Sequence, residues 1–306
     1  MGKVKVLTAR QAADLIKDGD TVTLSGFVAN GIAEALNTAA EERFLETGHP
    51  RDLTLFWVAG TGNKDGSHAD HYAHEGMVKK VIGGHFNFVP KICEMLSENK
   101  IEGYNVPQGA IAQMLRDNAA HKVGTISHVG IGTFADPRNG GGRLSEKTKE
   151  DIVKIIELEG QEQLFYPRIP LDVAFIRGTY ADELGNITLE KEMAPLDATS
   201  QAMAVHNNGG LVVVQVERVV KAGHLDPKLV KIPGIYVDAV VECPADDPKQ
   251  SQSINCTYDP AYAGNTQVPV SSLEPKKLDA KKIIGRRAAM ELKKNVVVNL
   301  GVGVPE

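Results

Sequence analysis

Cysteine is scarce. The 306 residues hold three, Cys93, Cys243 and Cys256, an odd number without the spacing of paired ligands. That excludes a disulfide scaffold and fits thiols kept reduced in a cytoplasm, the compartment expected for this chain. Long apolar runs are missing: no segment approaches the ~20 residues that a membrane-spanning helix requires. The opening "MGKVKVLTARQAADLIKDGD" lacks the apolar core and cleavage pattern of a signal peptide. Met1-Gly2 matches the start of a myristoylation site, but Val6 stands where Ser or Thr is needed. Basic excess is missing as well. Lys and Arg number 34 against 39 Asp and Glu, a net charge of -5, which argues against a nucleic-acid-binding stripe. An anionic ligand stays admissible, because backbone amides and helix N-termini hold anions in acidic proteins.

What is present is ordinary globular composition, 42% hydrophobic and 24% charged, in a chain long enough for about two domains. Short β-branched runs closed by glycine, "TVTLSG" (21–26), "LTLFWVAG" (53–60), "KKVIGG" (79–84) and "GTISHVG" (124–130), alternate with segments of helical periodicity at 31–48, 89–100 and 108–120. Thr8 and Gln11 form a capping box before the first helix, and Gly48 is a stop for the second. This alternation predicts an α/β fold, an open and mainly parallel sheet with helices on both faces. After residue 150 the strand-like runs follow one another, and "ELGN" (183–186) reads as a hairpin, so the sheet is expected to be mixed.

The stretch from Asp246 to Pro275 is rich in Asp, Pro, Ser, Asn and Gly. The expected organisation is a first domain over 1–245, a linker over 246–277 and the start of a second, related α/β domain over 278–306. The relation rests on a repeat: "AADLIKDGDTVTLSGFVANGIAE" (12–34) lies over "AAMELKKNVVVNLGVGVPE" (288–306). Glu34 and Glu306 then fall at equivalent helix N-termini, where acidic residues favour the helix dipole.

Three glycine loops close strands: Ser25-Gly26-Phe27, Gly83-Gly84-His85 and Gly301-Val302-Gly303. Glycines there leave backbone amides unobstructed at the carboxyl edge of the sheet, where ligands of open α/β sheets bind. None carries the dinucleotide fingerprint or a P-loop. Asn299 sits in the run "VVVNL", where an amide side chain is costly without partners. It either ties down a loop or donates to a developing oxyanion.

Taken together, "DGDTVTLSGFVANGIAEAL", "VIGGHFNFVPKI", "YNVPQGAIAQMLRDNAA", "HVGIGTFADPR" with "GGGR", and "NLGVGVPE" resemble the class I coenzyme A transferases, above all the single-chain acetate/propionate (short-chain acyl) type. The resemblance spans nearly the whole chain in the family's order. It departs from the usual G-G-F-x-x-x-G-x-P at Ser25 and Ala33, and Ala35 replaces a common Asn. It implies transfer of CoA between short-chain acyl-CoA and carboxylates through a glutamyl-CoA thioester, with CoA a substrate and no cofactor or metal. Asn299 would then serve the oxyanion hole, and Gly301, Val302 and Gly303 would hold CoA. Gln108, Ser25, Gly26, Phe27, Gly84 and His85 would line the substrate cleft. The nucleophilic Glu of the family follows the G-x-G-x-P strand and is expected beyond residue 306, in a second chain or a lost C-terminal portion. The chain alone is therefore expected to be inactive, and a homo-oligomer is expected when complete. The alternatives are an acyl-CoA hydrolase on the same scaffold and a non-catalytic, sensor-like binding module. The preferred acyl group, acetate, propionate, butyrate or lactate, is not legible.

Other constellations read as structural. His68, His71 and His74 could converge on a metal, but steps of three drift around a helix, no Cys joins them, and a solvated or loop-packing role is expected. His85 is expected to position its loop or line the cleft, since this transfer needs no proton shuttle. Ser25-Gly26 lacks the hydrolase elbow, and Cys93 lies on an apolar helix face.

Overall fold

The structure, a computed structural model, describes residues 2–300, and the counts below are of those residues. The chain divides into two units, Met1–Asn265 and Thr266–Glu306.

The first unit opens with β1 (Lys5–Leu7) and α1 (Ala9–Ala13). The capping box forms as expected: the Thr8 hydroxyl accepts from the Gln11 amide at 3.1 Å, and the Gln11 side chain accepts from the Thr8 amide at 2.9 Å. Then come β2 (Thr21–Leu24), α2 (Glu34–Thr47), β3 (Leu53–Trp57), β4 (Val78–Gly83), α3 (Pro90–Ser97), β5 (Glu102–Asn105) and α4 (Gln108–Ala119). Gly48 ends α2 in the left-handed conformation, φ 73°. The second half contributes β6 (Gly124–Ser127), β7 (Lys154–Leu158), β8 (Gln161–Pro167), β9 (Val173–Arg177), β10 (Tyr180–Asp182) and β11 (Ile187–Thr188). It closes with α5 (Ala198–Asn207), β12 (Leu211–Val216), β13 (Arg218–Val220), β14 (Val230–Ile232) and β15 (Ala239–Glu242).

Eight strands form one sheet in the order β1-β15-β12-β9-β2-β3-β4-β5, and every pairing in it is parallel. Parallel strands must be covered on both faces, and their alternating side chains feed two separate cores. Leu55, Trp57, Val173 and Phe175 pack with Ala12 of α1, Leu36 of α2 and Ile92 of α3. Phe56, Ala174 and Ile176 pack with Ile111 of α4 and Ala202 of α5. Each such fully buried large side chain contributes about 1.5–3 kcal/mol, so the frame is rigid and its loops are free to serve a site.

The mixed pairing expected from "ELGN" exists, with Ala181 opposite Ile187 in an antiparallel hairpin. It belongs to a separate sheet, β13-β10-β11-β14. "GTISHVG" likewise forms a strand outside the main sheet: β6 pairs antiparallel with β8 in a three-stranded sheet. With Ile126 exposed and only Thr125 fully buried, β6 has one covered face, which an interior parallel strand cannot tolerate.

Part of the stretch expected as a linker, up to Asn265, packs within the first unit. Gln250 and Gln252 are buried there. The Gln215 amide donates to the Lys249 carbonyl at 2.9 Å and to Gln250 Oε1 at 2.6 Å, and Gln252 donates to the Lys191 carbonyl at 2.6 Å.

The second unit carries α6 (Ala280–Ala289), capped by the Asp279 carboxylate accepting from the Lys282 amide at 2.8 Å. The sequence predicts a buried valine strand after it. Residues 296–300 form no strand among the described residues, and Val297 is fully exposed. A strand exists only as a paired object, and no ladder partner is supplied here.

Candidate functional site

Loops leave the carboxyl ends of β2, β3 and β4 at neighbouring points of the sheet. The loop after β2 starts at Ser25, whose hydroxyl donates to the Gly31 carbonyl at 2.7 Å and accepts from the Arg177 amide at 3.2 Å. Ser25 thus closes the loop on itself and pins it to β9. Gly26 follows at φ 119°, and a Cβ there would lie 2.0 Å from Ile32 Cδ1. Only glycine fits. Phe27, 43% exposed, and Asn30 exchange backbone hydrogen bonds across the tip, both 2.9 Å. Val28 sits at φ 54°, an outlier for a β-branched residue, of the kind that gathers at ligand sites. Its amide donates to the Gly60 carbonyl at 2.6 Å and its carbonyl accepts from the Gly62 amide at 2.9 Å, so the loops after β2 and β3 are laced together.

Gly26, Phe27, Val58, Gln108, Leu196 and Asp197 line one small cavity of about 40 Å³. Gln108 is the exposed first residue of α4. Gly84 makes this meeting possible: a Cβ on it would stand 2.2 Å from the Val58 carbonyl oxygen and 3.2 Å from Gln108 Cβ. His85, also exposed, packs with its ring tilted against Phe88 at 5.3 Å between centroids, and its carbonyl accepts from the Trp57 indole at 3.2 Å. Gly26, Phe27 and Gln108 are therefore together, with Ser25 and Gly84 directly behind them. Asn299 belongs to the second unit and is exposed. Gly301, Val302 and Gly303 lie outside the described residues.

Sequence reasoning missed Leu196, Asp197 and Gln201, which α5 and its N-terminus bring to the cavity. Asp197 precedes the helix but makes no side-chain capping bond, and burial pushes its carboxyl up against the opposing pull of Arg116. Gln201 donates to the Thr23 hydroxyl and the Leu24 carbonyl, both at 3.0 Å, fixing α5 to β2. An Asp before a helical run was the available signal, and it reads equally as an ordinary cap. Beneath the site Arg177 and Glu192, both nearly fully buried, pair at 3.1 Å, and Arg177 also donates to the Ser251 carbonyl. Burial pushes the Glu192 carboxyl up despite that pairing.

The three histidines are mostly buried rather than solvated, each ring paired with a carboxylate of α2. They sit on the 3-10 turn His68–Tyr72 and just after it, and their ring nitrogens face Glu34 and Glu41 of α2. Among the described residues no helix is long and apolar enough to cross a membrane.

Comparison with known proteins identifies the family and the fold. A family model described as Coenzyme A transferase matches residues 6–243. The chain is 42% identical to the acetate CoA-transferase YdiF of Escherichia coli K12, over 100% of this chain and 57% of that protein. It is 41% identical to the caffeate CoA-transferase of Acetobacterium woodii, over 98% of this chain and 57% of that protein. Its fold superposes on the crystal structure of the acyl-CoA transferase YdiF apoenzyme of Escherichia coli O157:H7 with a TM-score of 0.91, at 40% identity, over 99% of this chain and 57% of that one. The chain thus spans a little over half the length of these relatives.

Proposed function

This chain belongs to the coenzyme A transferase family, and from that premise we propose that the protein moves CoA between a short-chain acyl-CoA and a free carboxylate. The observation that carries the reading is the cavity at the carboxyl edge of the sheet, where Gln108 meets the Gly26-Phe27 backbone. Its position is that of ligand sites in open α/β sheets, and Gln108 offers an amide donor to an incoming carboxylate. No glutamate lines this cavity among the described residues. Following the family resemblance, the nucleophile is proposed to be a glutamate outside these 306 residues.

In this reading the glutamate carboxylate adds to the acyl-CoA carbonyl and expels CoA thiolate, leaving an acyl-glutamyl anhydride. The thiolate attacks the glutamyl carbonyl, releases the first carboxylate and leaves a glutamyl-CoA thioester. A second carboxylate reverses the sequence and departs as acyl-CoA. A carboxylate is a weak nucleophile, so fixed donors at the tetrahedral oxyanion and remote CoA contacts must supply the rate. Asn299 is proposed as one such donor, and Gly301, Val302 and Gly303 as the backbone against which the thioester end lies. CoA is a substrate throughout, and residues 278–306 belong to a second, related domain.

Propionyl-CoA and isotopically labelled acetate test the reading on the complete protein. Labelled acetyl-CoA is the expected product. Release of free CoA without it would make the protein a hydrolase, and no turnover with retained binding would make it a sensor-like module.

A further inference from the structure

Beside the crevice five side chains form a continuous line. Glu34, the first residue of α2, faces His68 Nδ1 through Oε2 and His71 Nε2 through Oε1, both at 2.8 Å. The other ring nitrogen of His71 meets Glu41 Oε2, and Glu41 Oε1 meets His74 Nε2 at 2.7 Å. All five side chains are less than one-third exposed.

Ring chemistry fixes where the charge sits. An ionised carboxylate only accepts, and a neutral imidazole has one N–H and one bare nitrogen. With a carboxylate oxygen at each nitrogen, His71 can satisfy both only as the doubly protonated imidazolium. His68 is different: its Nε2 is buried without a partner, and a proton there would be an unsatisfied donor. His68 therefore donates through Nδ1 alone, and the positive charge belongs to His71.

The line also joins the ends of both crevice loops. The loop after β2 runs into α2 at Glu34, and the loop after β3 runs into the turn that begins at His68. Val28 laces these loops together near the cavity, through Gly60 and Gly62. The Glu34–His68 and Glu34–His71 contacts close the ring at the far end. We propose that His71 is a positioning residue, an imidazolium bolt between Glu34 and Glu41 that holds the two loops in place as walls of the crevice. The role assigned to those walls rests on the CoA-transferase reading; the bolt itself does not.

The surrounding charges agree. Burial pushes Glu34 up, but hydrogen bonds from His68 and His71 outweigh it and leave the carboxyl at about 2. Burial opposes the charge of His71, yet Glu34 and then Glu41 raise it above the ordinary 6.5. Other charged or titratable groups facing the line are Asp70 and Tyr72 on the same turn, Asp65 before it, Lys91 on α3 beside Asp70, and Lys249, which shares a cavity with Glu34 and His68. The sign follows. What Glu34 contributes is complete above the ordinary 4.5 and is lost as pH falls toward about 2. What His71 contributes is complete below the ordinary 6.5 and is lost as pH rises through its raised value.

Histidine-selective 15N NMR on the whole protein tests this, read with the amide resonances of Val28 and Gly62. His71 is expected to show two protonated ring nitrogens at the ordinary 6.5 and to lose the second proton only as pH rises through its raised value. As it titrates at higher pH, the Val28 and Gly62 amides are expected to shift with the same midpoint. In Glu41→Gln that midpoint falls by about one unit or more. A singly protonated His71 ring near neutral pH overturns the proposal, and so do Val28 and Gly62 amides that stay still while His71 titrates. The wild-type titration decides the matter even where the variant does not fold. A charged, coupled His71 in a protein that transfers no CoA would leave the bolt standing and remove the functional reading alone.

Discussion

Gln108 and Glu192 mark the two kinds of residue that build this site. Gln108 is exposed and sits at the mouth of the cavity, so Gln108→Ala is expected to leave stability within about 0.5 kcal/mol. In the proposed function its loss removes a hydrogen bond to the substrate carboxylate, so KM for the carboxylate is expected to rise about tenfold in steady-state assays of the complete protein. Glu192 is buried against Arg177, and Glu192→Ala strands a guanidinium whose remaining partner among the described residues is the Ser251 carbonyl. Breaking such a pair costs about 3–5 kcal/mol, which urea unfolding would register as a large fall in midpoint. Of these two, only Gln108 was legible in the sequence, through the family's pattern. Glycine at a strand end leaves backbone amides unobstructed, which marked the Ser25-Gly26-Phe27 loop, and the family resemblance gave that loop its expected place in the cleft. The Arg177–Glu192 pair and the approach of Asp197 depend on contacts between distant segments. Periodicity carries no record of those.

Helix α3 shows how an element can be stabilised from elsewhere in the chain. Val89 gives it no side-chain cap, and Pro90 removes one amide from its first turn. The next two amides, of Lys91 and Ile92, donate to the buried Asp70 carboxylate at 3.2 and 3.0 Å. Asp70→Ala is expected to cost about 1–2 kcal/mol, the price of a lost cap, measured by thermal or urea unfolding. The helix that Asp70 caps begins about 20 residues further on, with the partner amide of Lys91 21 residues away, outside any capping window. Elements whose reason is local were legible, as Thr8 with Gln11 and Gly48 show. Strand β5, "EGYN", was not, because it owes its existence to pairing with β4 rather than to its own residues. The valine run at 296–298 is the converse case, strong β propensity without a ladder.

At the scale of the molecule, the buried residues of both hydrophobic cores lie within residues 12–241 and the sheet between them is wholly parallel. A chain ending at Asn265 is therefore expected to unfold cooperatively, with a thermal midpoint close to that of the 306-residue chain; calorimetry of both checks this. The α/β class and the family were legible because alternation and glycine punctuation repeat over most of the chain. Which strands share the main sheet was less so, since β6 and the β10–β11 hairpin carry strand patterns whatever sheet they join. The central claim is that this chain builds one wall of a CoA-transfer site whose reactive carboxylate lies elsewhere. Peptide mapping by mass spectrometry, after the complete protein meets acyl-CoA without an acceptor, tests it most directly. A CoA-bearing glutamate outside these 306 residues is the predicted result, and a CoA-bearing glutamate within them would contradict it.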